Sequence, residues 1–165
     1  MSAARLPHIT AQARIDTPLG PLTAAATAHG LAGLWFDGQA HHPGELDAPI
    51  DDTQRFIAQA REALQHYWQA PAAPAVPFDL LGTPFQNAVW QALLHIAAGR
   101  TCSFGVVAAR LGRPAAVRAV AAAVGRNPVS LLVPCHRVIG QNGALTGYAG
   151  GLARKQALLA HEARR

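Results

Sequence analysis

The stretch from Ser103 to Gly125, SFGVVAARLGRPAAVRAVAAAVG, decides the fold. Ser103 is a helix N-cap residue type, and Val106, Val107 and Leu111 behind it form one apolar face. Gly112 ends that helix. Arg113-Pro114 opens a second one, which the pattern carries to about Gly125. Two short helices joined through Gly112-Arg113-Pro114 make a helix-turn-helix candidate. In the second helix Val117, Val120, Ala121 and Val124 form an apolar stripe. Its opposite face holds Ala115, Ala119, Ala122 and Arg126, with Arg118 at the edge. Alanines let a helix backbone approach a groove closely, while the two arginines reach phosphates or bases.

Upstream, Thr83 caps and Pro84 starts a helix in which Phe85, Val89, Leu93 and Ile96 recur at helical spacing up to Gly99. Before it, Gln69 to Pro77 carries three prolines and reads as an interdomain linker, because proline removes backbone donors. The pattern therefore predicts two domains, 1–80 and 81–165. In the first, Arg14 to Gly20 reads as a strand entering a turn. Leu22–Thr27 and Leu31–Phe36 read as strands around a His29-Gly30 hairpin. Thr53 to Trp68 reads as a helix capped by Thr53, with Phe56, Ile57, Ala60, Leu64 and Tyr67 on one stripe. Phe78–Leu80 reads as a last short strand. Strands plus one helix make this half a small α/β unit.

The chain has 165 residues, half of them hydrophobic and 14% charged, which excludes a mainly disordered protein. The longest apolar stretches, such as Ala119–Gly125, fall far short of the roughly 18 residues of a membrane span. Met1 to Thr10 has no apolar signal core, so the expected compartment is the cytoplasm, with no membrane partner. Two cysteines, Cys102 and Cys135, cannot build a disulfide framework or a zinc ribbon. The charge divides sharply. Residues 1–80 hold four arginines against eight acids, net −4. Residues 81–165 hold nine arginines and Lys155 against Glu162 alone, net +9, and together these give the total of +5. A strongly basic half points to a polyanion.

Val129 to Val133 is an apolar, β-like run, and Pro134-Cys135-His136-Arg137-Val138 follows it. A cysteine beside a proline at the end of such a run is held rigidly, and His136 and Arg137 as neighbours favour thiolate over thiol. A nucleophile beside a base is the minimum for covalent chemistry. Glu162 is the only carboxylate of the second half. Folded back, it completes an orienter, base and nucleophile chain, Glu162–His136–Cys135. Paired glycines around Tyr148 allow a tight loop beside an aromatic wall, where a flat heterocycle could stack.

Taken together, Gly82-Thr83-Pro84-Phe85-Gln86, Arg118-Ala119-Val120, Asn127-Pro128, Pro134-Cys135-His136-Arg137-Val138, Gly147-Tyr148-Ala149-Gly150-Gly151 and Leu158-Leu159-Ala160-His161-Glu162 resemble the methylated-DNA–protein-cysteine methyltransferases, also called O6-alkylguanine-DNA alkyltransferases. The match runs in unbroken order from about Gly82 to Glu162. The first half resembles that family only in length and order of elements.

The resemblance implies an α/β protein, with an amino-terminal ribonuclease-H-like domain followed by a winged-helix-like helix-turn-helix domain. It implies binding of duplex DNA and flipping of an alkylated guanine into a pocket, with O4-methylthymine a second candidate substrate; separately, the chain is expected to act as a monomer. The alkyl group then moves irreversibly to the protein's own cysteine, so each molecule acts once. By motif position Cys135 is the acceptor, and His136 its base through a water. Glu162 orients the imidazole, and Asn127 is the hinge between recognition helix and active-site loop. Arg118 fills the stack after flipping, with Ala119, Arg126 and Phe104 also at the DNA. Tyr148, Val133, Ala149 and Gly150 line the guanine pocket, with Val124 shaping its wall. No cofactor and no metal is implied. One position departs from the family: Phe104 stands where a tyrosine is usual, so the ring is kept and the donor lost. The competing readings are a DNA-binding protein that recognises alkylated bases without repairing them, a dimeric helix-turn-helix regulator, and a cysteine hydrolase.

Overall fold

The computed structural model describes Leu6 and residues 8–164. Most of the Met1 to Thr10 segment, read above for a targeting signal, lies outside the described residues. The chain forms two compact units, Met1–Leu80 and Leu81–Arg165.

The first unit is a three-stranded antiparallel sheet of β1 (Ala11–Ile15), β2 (Leu22–Ala26) and β3 (Leu31–Phe36), in that order, with helix α1 (Arg55–Gln69). The register pairs Ile15 with Leu22 and Leu22 with Phe36. The α1 stripe is buried as its spacing predicts, with Ala63 added to it. Its cap is not Thr53 but Gln54, whose Oε1 accepts from the backbone N–H groups of Phe56 (2.8 Å) and Ile57 (3.0 Å). Thr53 is diverted, because its hydroxyl donates to Asp51 at 2.7 Å. The expected strand at Phe78–Leu80 is a single bridge from Phe78 to Leu31. The end of the proline-rich segment is thereby bonded to the first unit: Leu31 N–H donates to the Pro77 carbonyl at 2.8 Å. Gly30 permits this approach, since a Cβ there would sit 2.7 Å from the Phe78 backbone.

The second unit contains α2 (Pro84–Leu93), β4 (Cys102–Ser103), α3 (Phe104–Arg110), α4 (Val117–Gly125), a 3-10 turn at Cys135–Arg137, β5 (Val138–Ile139) and α5 (Leu152–Ala163). Thr83 and Gln86 form a reciprocal capping box at the start of α2. That helix stops at Leu93 rather than continuing to Gly99. Ile96 N–H returns to the Leu93 carbonyl, one residue short of a helical bond, and Gly99 takes a positive φ of 82°. Ser103 caps α3 as expected, at 3.1 Å from Val106 N. The core side of α3 is Val107 and Ala108, while Val106 is exposed.

The second helix of the motif starts later than Arg113-Pro114 suggests. Gly112 has φ 71°, Arg113 N–H closes on the Ala108 carbonyl, and a turn through Ala116 precedes Val117. Val120, Ala123 and Val124 face inward, whereas Val117, expected in the apolar stripe, is exposed. The opposite face agrees with the wheel: Ala115, Arg118, Ala119, Ala122 and Arg126 are exposed. The Trp90 indole donates to the Ala123 carbonyl at 2.8 Å and locks α2 to α4.

Val129 to Val133 is not a strand. Leu131 is buried with φ 74°, a left-handed conformation rare for a branched side chain, and Leu132 N–H folds back onto the Ser130 carbonyl. The chain instead forms strand pairing after the cysteine, where β5 runs parallel to β4, Val138 beside Cys102. Among the described residues no helix is long and apolar enough to cross a membrane.

Candidate active site

Three segments meet around Cys135. The first is the exit of α4, where Asn127 is buried and acts as a clasp. Its Nδ2 donates to the carbonyls of Val129 (3.1 Å) and Val133 (2.8 Å), and its Oδ1 accepts from Val129 N–H (3.0 Å). These bonds hold the irregular turn that delivers the chain to Pro134. The second segment is the 3-10 turn, in which Cys135 and His136 are buried. The third is α5, whose residues 155, 158 and 162 share one face. That face buries Lys155, Leu158 and Glu162.

Glu162 is the hub. Its Oε2 lies 2.6 Å from His136 Nε2, and both side chains are completely buried. Arg137 also donates to it, from Nε to Oε1 at 2.7 Å and from Nη2 to Oε2 at 3.1 Å. The remaining Arg137 nitrogen, Nη1, donates to the Ile96 carbonyl at 2.7 Å. A carboxylate receiving three donors stays ionised. Nε2 of His136 therefore carries the proton, and Nδ1 is left with its lone pair. That Nδ1 is buried and meets no hydrogen-bond donor among the described residues.

The electrostatics differ from the simple expectation that His136 and Arg137 lower the thiol. Burial pushes the Cys135 thiol up to about 11, and this outweighs the Asn127 hydrogen bond and the Lys155 charge, which act downward. Arg137 cannot serve the sulfur because its guanidinium is committed to Glu162. Burial likewise lowers His136; its bond to Glu162 pulls the other way, and the charges of Arg137 and Lys155 add to the lowering. The resting pair is thus a neutral thiol beside a neutral imidazole.

Lys155 reads as a surface cation in the sequence, and the structure places it inside. It is buried, and its Nζ donates to the carbonyls of Val138 (2.7 Å), Thr146 (3.1 Å) and Gly147 (3.3 Å). The charge that acts on it is Cys135, which opposes the depression of its pKa by burial. Its spacing to Leu158 and Glu162, on the inward stripe of a helix, was the available signal. Next to it, Arg154 Nη1 donates to the Gly150 carbonyl at 3.0 Å. Together these two cations of α5 fasten the glycine-rich loop to the unit.

The other candidates fall into two groups. Tyr148 stands edge-on to the His136 ring, centroids 6.4 Å apart, and Val133, Gly150 and Val124 are buried while Ala149 is partly so. Arg118 and Ala119 lie on the exposed face of α4, Arg126 is exposed at its C-cap, and Phe104 is half-buried in the first turn of α3. The hydrogen bonds described around Cys135 involve none of this second group. Among the described residues no group of three or more His, Cys, Asp or Glu is placed to hold a metal ion.

Residues 84–164 match the DNA-binding domain of 6-O-methylguanine DNA methyltransferase. The methylated-DNA–protein-cysteine methyltransferase of Mycobacterium bovis is 44% identical over 146 residues, covering 88% of this chain and 87% of the relative. The enzyme of that name from Salmonella typhimurium is 64% identical over 81 residues, 49% of this chain and 47% of the relative. The crystal structure of Mycobacterium tuberculosis OGT in complex with DNA has a TM-score of 0.83 at 40% identity, covering 93% of each chain.

Proposed function

Because this chain belongs to the methylated-DNA–protein-cysteine methyltransferase family, we propose that Cys135 is the atom on which its chemistry ends. The activity is repair by direct reversal: a methyl group leaves alkylated DNA and is taken up by a cysteine of the protein. The reading of a DNA-binding protein that recognises such bases without repairing them falls away, since the relatives are methyltransferases. The chain has two cysteines. The observation that supports the choice is that His136, next in the chain to Cys135, is buried at 2.6 Å from Glu162, the pairing a base and its orienter would need. Cys102 is half-buried, and burial raises its thiol too, with only Arg110 opposing.

The step is an in-line displacement. The sulfur attacks the methyl carbon, the C–O bond of O6-methylguanine breaks, and the departing guanine takes a proton. Nδ1 of His136 is the buried acceptor for the thiol proton, reached through a water, and Glu162 stabilises the imidazolium that forms. Lys155 offers charge to the thiolate as it appears. The product is a thioether with a poor leaving group, so one molecule of protein repairs one lesion.

The lesion lies within the base stack, so the nucleotide must be extruded. Arg118, on the exposed face of α4, fills the gap. Ala119 permits close approach of the helix, and Arg126 and Phe104 border the strand. The extruded guanine stacks in the loop of Tyr148, Ala149 and Gly150, against Val133 and the wall near Val124. Asn127 couples α4 to that pocket. In this reading the first unit is a ribonuclease-H-like scaffold, the second a winged-helix-like domain, and the protein acts as a monomer on duplex DNA carrying alkylated guanine. The support is the three-stranded sheet with α1 in one unit, and α2 to α4 with the β4–β5 pair in the other. Peptide mapping after incubation with a duplex containing O6-methylguanine tests the assignment. One methyl group on the Cys135 peptide is expected, and a methyl on the Cys102 peptide would overturn it.

A further inference from the structure

We propose that Arg137 is a positioning residue that keeps His136 uncharged in the resting protein, by satisfying Glu162 before the imidazole does. The proposal deepens the reading of His136 as the base for Cys135 and rests on it.

The geometry carries the argument. Glu162 is completely buried, and a buried carboxylate requires a cation or several donors. Among the described residues, His136 at 2.6 Å and Arg137 at 2.7 Å are neighbours able to supply it with positive charge. Arg137 is always charged and reaches both carboxylate oxygens. Its third contact, with the Ile96 carbonyl, fixes the plane of the guanidinium so that it cannot swing toward the sulfur. The carboxylate is thus paired with the guanidinium through both of its oxygens. His136 contributes a hydrogen bond to Glu162 without having to contribute a charge, and its Nδ1 lone pair stays available.

The other groups around His136 do not change this balance. Lys155, from α5, is held by three carbonyls and its charge disfavours a second cation nearby. Cys135, on the same turn, is a neutral thiol at rest. The Tyr148 ring stands edge-on to the imidazole. Helix α2, which also packs on the turn, carries no ionisable side chain. Among the described residues Glu162 favours imidazolium, and Arg137 and Lys155 oppose it.

Without Arg137, the remaining buried pair is Glu162 and His136, and the stable form is carboxylate with imidazolium. An imidazole that already holds a proton cannot take one from the thiol. The transfer rate then depends on removing that proton first, and its acid limb moves to higher pH.

The test measures single-turnover methyl transfer against pH for the full chain and for Arg137→Met and Arg137→Lys, with the His136 ring followed by nitrogen NMR. Its signals are identified by their loss in His136→Gln. In the parent the ring is expected to be the neutral Nε2–H tautomer at neutral pH. Arg137→Met is expected to slow transfer at neutral pH and recover as pH rises, with the acid limb moved up by about one unit or more. Arg137→Lys is expected to keep a profile close to the parent's. A uniform loss at every pH in a folded Arg137→Met protein would assign Arg137 to structure alone and overturn the proposal. So would a charged His136 in the parent at neutral pH, a reading that needs no variant to fold. Failure of the underlying reading looks different: the parent would take up no methyl on Cys135, whatever the charge on His136.

Discussion

Oε2 of Glu162 stands 2.6 Å from Nε2 of His136, and neither side chain reaches solvent. The contact joins the last helix to the turn that carries Cys135. Glu162→Gln keeps the shape and removes the charge, leaving Arg137 as a nearly buried cation without its partner. We expect about 3–5 kcal/mol lower stability by urea unfolding. We also expect single-turnover methyl transfer about 100-fold slower, the scale of a lost acid–base contribution. A variant that transfers at the parent's rate would remove Glu162 from the chemistry.

The thiol of Cys135 is raised to about 11, chiefly by burial. A raised acid keeps its proton until the pH passes its new value. In a Cys102→Ser background the thiolate absorbance is therefore expected to grow in as pH rises through about 11, and to be absent at neutral pH. Full thiolate at neutral pH in the DNA-free protein would contradict the neutral resting pair.

Asn127 satisfies three backbone groups of the turn between α4 and Pro134. Asn127→Ala leaves them buried without partners, at about 1–3 kcal/mol for each group that finds no substitute. We expect a loss on the order of 3 kcal/mol in denaturant unfolding. A change below about 1 kcal/mol would show that the turn holds without its clasp.

Much of this was legible in the residues, and the failures have physical causes. The two short helices α3 and α4, the capping box at Thr83 and the Glu162–His136 pairing rest on local patterns or on the scarcity of acids in the second half. The strand expected at Val129–Val133 failed because apolar content reports burial, not backbone geometry. Leu131 in a left-handed conformation, held by Asn127, is a tertiary outcome. Arg137 was assigned to the wrong partner for a similar reason. Adjacency in sequence suggested the sulfur, but the fold brings Glu162 to the guanidinium. A lysine in a basic segment reads as surface, although the helical spacing of Lys155 to Glu162 points inward.

Arg118 lies on the exposed face of α4 and has no part in the described hydrogen bonds of the Cys135 cluster. If it fills the stack left by a flipped base, its removal burdens extrusion and not methyl transfer. Arg118→Ala is expected to slow repair of O6-methylguanine in duplex DNA by about 10-fold or more, since flipping involves a few kcal/mol. Reaction with the free methylated base is expected to stay near the parent's rate. Equal losses with both substrates would refute the gap-filling role.

The most direct measurement is the intact mass of the protein after incubation with excess duplex carrying O6-methylguanine, for the parent, Cys102→Ser and Cys135→Ser. The account predicts a single added methyl group on the parent and on Cys102→Ser, none on Cys135→Ser, and DNA that keeps its lesion in the last case. A Cys135→Ser protein that still clears methyl groups from the duplex would contradict it.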